Sequence, residues 1–137
     1  MPSNTSPIFP LTPIVGIATL TAPTAITSRA NITGTTGLVK LTDTTTNGTK
    51  IDAITVEAKG TTVANQIGIW IYNGTTSFLF AEILVTAITP NTTTLTAFTT
   101  TVAYSNLVLP PTFQLYVSTQ VGTTSADFNI YAFGGQY

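Results

Sequence analysis

The chain has 137 residues, 43% of them hydrophobic and only 7% charged, with no Cys, no His and a formal net charge of -1. That is one domain with enough apolar content for a core: a chain of this mass buries about two thirds of its unfolded surface. The missing residue types remove disulfides, thiolate nucleophiles, Cys-based zinc sites, the usual general base and the commonest metal ligand.

Four basic side chains, Arg29, Lys40, Lys50 and Lys59, are too few and too scattered for a phosphate-neutralising patch, so nucleic acid is not an expected partner. A membrane is not expected either, because the longest apolar stretches, residues 67–72 and 78–88, fall short of the about 20 residues that a spanning helix needs. No basic residue precedes Arg29 and prolines interrupt the N-terminal segment, so a signal peptide is not expected. Thr alone accounts for 32 residues, which looks like low complexity, but a mean hydropathy of +0.37 is that of a chain that folds.

Residues 1–13 carry Pro2, Pro7, Pro10 and Pro13 and no helical period. Each proline fixes φ, removes a donor and biases its predecessor toward extended backbone, so the segment is expected to be an extended arm ahead of a single β domain over residues 14–137. Ile8, Phe9, Pro10, Leu11 and Pro13 form its apolar part and are the candidate partner-binding residues. They would lie on a neighbour or fold back over their own domain.

From residue 14 onward β-branched runs alternate with turn signals. Strands are expected near residues 14–22, 30–33 and 38–42, followed by a turn at Asn47-Gly48. In residues 50–59, Ile54, Val56 and Ala58 share one face while Thr55, Glu57 and Lys59 share the other, so this strand needs one wet side. Residues 66–72 and 78–88 read as a hairpin about Asn73-Gly74 with apolar residues on both faces, a central position that implies a second apolar contact outside the sandwich. Glu82 interrupts the return strand and must reach an edge or pair with a cation. Residues 94–104, 107–109, 113–120 and 127–133 complete about eight strands at the spacing of an all-β antiparallel sandwich, jelly-roll or Greek-key like.

Five acids, Asp43, Asp52, Glu57, Glu82 and Asp127, are the whole supply of carboxylates, and no two have a spacing that places them together for acid–base work, so no catalytic residue is assigned and the chain is not expected to be an enzyme. Residues 43–49 alternate oxygen ligands before a Gly but lack the bidentate Glu of a calcium loop and read as a polar turn, so no metal or cofactor is assigned. The Asn-x-Ser/Thr triplets at Asn4, Asn31, Asn47, Asn73 and Asn91 mark turns more than glycans in so Thr-rich a chain. Trp70, Tyr72 and Tyr104 are the candidate face for self-association; together with Tyr116, Tyr131 and Tyr137 they would alternatively furnish a platform for stacking a sugar. A Thr-covered surface with little charge has weak self-repulsion and suits a protein that spends its life assembled.

The proline-rich arm (Pro7-Ile8-Phe9-Pro10), the Cys-free Thr-rich β domain and the closing motifs Leu109-Pro110-Pro111-Thr112-Phe113-Gln114-Leu115 and Asn129-Ile130-Tyr131-Ala132-Phe133-Gly134-Gly135 resemble small virion structural proteins of tailed bacteriophages, most of all capsid decoration (cement) proteins. The resemblance implies a non-enzymatic β-sandwich, made in the host cytoplasm. On the exterior of the capsid it would bind the major capsid protein and copies of itself, commonly as a trimer. Unlike many cement arms, this one carries no charged side chain, so docking would use apolar and backbone contacts. The alternative expectation is a fibre or adhesin tip module that binds glycans through surface aromatics.

Overall fold

A computed structural model describes residues 10, 12–122 and 127–137, and among them every regular element is a strand. In chain order these are β1 (Thr12–Leu20), β2 (Ile32–Thr33), β3 (Val39–Lys40), β4 (Thr49–Ala58), β5 (Asn65–Tyr72), β6 (Thr76–Val85), β7 (Thr99–Leu109), β8 (Gln114–Thr119) and β9 (Phe128–Gln136). They form two antiparallel sheets, β1-β9-β4-β7 (sheet A) and β2-β6-β5-β8-β3 (sheet B), packed face to face as a β-sandwich. The first strand begins at Thr12, so Pro13 belongs to the domain rather than to the arm; β1 is an edge strand, the place in a sheet where proline is found.

The core follows the period-2 patterns. Ile54, Val56 and Ala58 of β4 meet Phe128, Ile130 and Ala132 of β9 in register, and Ile67 and Ile69 of β5 pair with Ile83 and Ala81 of β6. Leu115 and Val117 of β8 complete the opposing layer, fully buried. β4 carries a bulge between Ile51 and Ala53, and β9 meets it with Gly134, where a Cβ would collide with the Lys50 carbonyl. The bulge keeps Ile51 and Ile54 both inside although their spacing breaks strict alternation.

Two local readings shift and a third holds. The strand expected over residues 94–104 starts at Thr99, because Asn91 Oδ1 accepts from the backbone N–H groups of Thr93, Thr94 and Leu95 and holds the preceding residues in a turn. That strand and the separate run at 107–109 are one element, β7. The hairpin at Asn73-Gly74 forms as expected, with Gly74 at φ 96 and Asn73 Oδ1 accepting from Thr75 and Thr76.

The largest correction concerns the outer face of sheet B. Trp70 points there, paired with Tyr116 and Leu79, and yet is 1% exposed. The reason is the chain between β1 and β3. Ile26 N–H donates to the Thr119 carbonyl of β8, Ile32–Thr33 pairs with β6, and Val39–Lys40 returns to β8. Since β5 lies between β6 and β8, this strap passes over β5 twice and covers the indole. Arg29 fastens it through its Nε–H, shared between the two Glu82 carboxylate oxygens at 2.9 and 3.1 Å, and through Nη2, which donates to Gln66 Oε1 at 3.1 Å, so Glu82 is paired with a cation. The chain itself therefore supplies a second apolar contact, over Trp70, while Phe78, Phe80 and Leu84 of β6 remain 39%, 42% and 65% exposed.

Candidate functional site

The outer face of sheet A has no such cover within the described domain. Odd-numbered residues of β1 and β9 point outward because Ala18, Leu20, Phe128, Ile130 and Ala132 point in. The register then lays out four rows across the sheet in the order β1, β9, β4, β7. They are Pro13, Gly135, Lys50, Val108; Val15, Phe133, Ala53, Ala103; Ile17, Tyr131, Thr55, Thr101; and Thr19, Asn129, Glu57, Thr99.

The two central rows contain no charge. Val15, Ile17 and Phe133 are 56%, 60% and 41% exposed, and the rings of Tyr131 and Phe133 stack at 6.2 Å with 19° between planes. Thr55 and Thr101 satisfy one another across β4 and β7 at 2.8 Å, so their methyl groups, not unpaired hydroxyls, dominate what a partner meets. Charge is confined to the two ends. Lys50, ion-paired with Asp52, lies in the first row, and Glu57 in the last. The Asp52 carboxylate raises the Lys50 pKa, through its hydrogen bond first and its charge second.

The sequence-derived candidates distribute as follows. Ile8, Phe9 and Leu11 lie outside the described residues. Pro10 is half-buried and packs on Gly135, where an added Cβ would lie 2.5 Å from the proline Cβ; Pro13 is exposed in β1. Trp70, Tyr72 and Tyr104 do not share a face. Trp70 lies under the strap and its Nε1 donates to Ser118 Oγ at 2.8 Å. Tyr72 stands on the same side of sheet B, edge-on to Tyr116 at 5.6 Å. Tyr104 belongs to sheet A, packs against the core and touches Phe80 at 5.7 Å, and burial raises its pKa. An exposed aromatic platform built on Trp70 is therefore not present, because the indole is covered and its donor is already used.

Val15, Ile17 and Phe133 were missing from the candidates, and Tyr131 was among them only as one of the sugar-stacking aromatics. Their signal is in the sequence: residues 128–133 are apolar or aromatic on both parities except for Asn129, as the central hairpin is, and Val15 and Ile17 alternate against Ala18 and Leu20. Which two-sided strand the chain would cover was a tertiary matter.

The acids are dispersed. Asp43 pairs with Lys40, Asp52 with Lys50 and Glu82 with Arg29, while Asp127 Oδ1 accepts from the Ala22 N–H. Among the described residues no three His, Cys, Asp or Glu side chains gather into a metal-holding group. A recess at the end of β1, lined by residues such as Leu20, Pro23, Val39 and Ser118, has no ionisable side chain in its wall. No family model, no curated protein and no solved structure matches this chain.

Proposed function

We propose that this protein is a structural assembly component that works by adhesion: a virion decoration protein that binds the major capsid protein and neighbouring copies of itself on the outside of a phage shell. The observation that carries the reading is the charge-free centre of the outer face of sheet A, with Val15, Ile17 and Phe133 exposed side by side. Four strands about 4.8 Å apart and four rows about 6.8 Å apart give this face roughly 500 Å² in projection. Its two charge-free central rows are about half of that, roughly 260 Å², an apolar patch of the size a solitary protein can expose and far less than the about 800 Å² per partner of a standard stable interface. A contact of this size is weak alone and becomes effective when many copies engage a repeating surface at once. The low charge and Thr-rich exterior fit that use, since neither repels a neighbouring copy.

The test is co-sedimentation with undecorated shells of the parent phage. The intact protein is expected to pellet with shells, and the double substitution Val15→Lys/Ile17→Lys is expected to abolish pelleting with an unchanged β circular dichroism spectrum. Undiminished pelleting of that variant refutes the proposal.

A further inference from the structure

The outer face of sheet A and the N-terminal arm meet at a defined point, and that point says what covers the face in the free protein. Gly135 belongs to the outward row that also holds Pro13 and Lys50, so the direction in which its Cβ would project is the outward normal of the sheet. The atoms found there are the Pro10 Cβ and Cγ, at 2.5 and 3.3 Å from that position. The chain therefore enters β1 from above the outer face, at its Lys50 end, and not from the sheet's edge. Nine residues precede Pro10, and they can reach about 30 Å when extended, against roughly 27 Å for the length of the four rows.

From the observed position of Pro10 and the uncovered apolar rows beside it, we propose that residues 1–9 of the same chain dock on the outer face of sheet A, with Ile8 and Phe9 seated over Val15, Ile17, Tyr131 and Phe133. Phe9 follows directly on Pro10 in the N-terminal direction, and Phe133 is only two residues along β9 from Gly135, about 6.8 Å away. The occupant and the surface match chemically: residues 1–9 have no charged side chain, and neither do the two central rows. Pro2 and Pro7 lack donors and bias their neighbours to extended backbone, which suits a segment held by side-chain contact across a sheet face rather than one added to a sheet edge. The tether is one residue long, so closing the contact within the chain costs far less entropy than recruiting a second molecule, and the bare face is too small to hold a second copy firmly. The docked arm gives the free protein a resting form in which its apolar rows are covered, and a partner surface must displace or share that arm. This holds whatever particle the protein binds.

The absence of cysteine in the natural chain permits a single nitroxide at Ser6→Cys in otherwise full-length protein. With label and isotope on the same molecule, the methyl signals of Val15 and Ile17 are expected to be lost while those of Val85 and Val117, in sheet B, persist. In a mixture of nitroxide-bearing unlabelled protein and isotope-labelled protein without nitroxide, all four are expected to persist. The variant Ile8→Ser/Phe9→Ser carrying the same nitroxide is expected to recover the Val15 and Ile17 signals. Persistence of these signals in the first sample overturns docking, and their loss in the mixture overturns docking within one chain. Failure of the Ser variant to recover them overturns the assignment to Ile8 and Phe9. None of these results depends on shell binding, so the two proposals fail separately.

Discussion

Replacing Gly68 with Ala tests the packing beneath the strap, because two effects of opposite sign meet there. In a strand, Gly→Ala at an ordinary φ restricts the unfolded chain and by itself stabilises by about 0.4–1 kcal/mol. At Gly68 the new methyl would lie 2.7 Å from Ser118 Oγ, 2.9 Å from Trp70 Nε1 and 3.3 Å from Leu79 Cδ1, so it would intrude on the bond between the indole and the serine. Overpacking of this kind costs about 1–3 kcal/mol. A buried donor deprived of its acceptor costs a further 1–3 kcal/mol, roughly, if the ring cannot shift to keep its bond. The unfavourable terms win, and a net loss of about 1–3 kcal/mol is expected, a fall in Tm of about 3–10 °C for a domain of this size. Trp70 is the only tryptophan, so urea unfolding followed by its emission reads the site directly. Gly60→Ala is the control, since nothing lies within 4 Å of its added methyl and its φ is ordinary; it should stay within about 0.5 kcal/mol of the natural protein. If Gly68→Ala is as stable as Gly60→Ala and its emission is unshifted, the close approach of Gly68 to the indole is refuted.

Arg29→Ala removes the fork that ties the strap to Glu82 and Gln66; because Arg29 is largely exposed, the loss of global stability should be only about 0–1 kcal/mol. Amide exchange over residues 25–38 should accelerate far more than in β4, and equal protection in both proteins would show that the strap is held without the arginine. Burial raises the Tyr104 pKa, so the folded state favours the neutral phenol. The linkage then runs in one direction: stability is unaffected well below the ordinary tyrosine value of about 10 and declines as pH rises through it, because the unfolded chain releases that proton first. Tyr104→Phe should flatten this alkaline decline and remove one tyrosine's share of the 295 nm absorbance rise from above the ordinary tyrosine range, and an unchanged titration curve would contradict the burial.

The alternation of Ile54, Val56 and Ala58 against Thr55 and Glu57 was enough to name the buried face of β4, and the apolar hairpin about Asn73-Gly74 was enough to place β5 and β6 beside one another. Both are local, because period-2 burial and turn chemistry act over a few residues. The same locality explains the misjudged start of β7, where the side chain of Asn91 competes for the backbone donors that a strand would have used. That Glu82 must reach an edge or pair with a cation was also legible, but the partner that decides between them, Arg29, lies 53 positions away.

From the chain alone came the all-β sandwich, the buried parities and the shortage of titratable groups. Two strands, β5 and β9, carry apolar residues on both faces, and sequence pattern has no means of ranking them. Tertiary structure decided between them: the order β6-β5-β8 brings both anchors of the strap to either side of β5, so Trp70 is covered, whereas β9, between β1 and β4, keeps Tyr131 and Phe133 on a face that no described strand or loop overlies beyond Pro10. Burial of a given side chain depends on which distant segment crosses above it, and that is a property of sheet order rather than of the residues on either side.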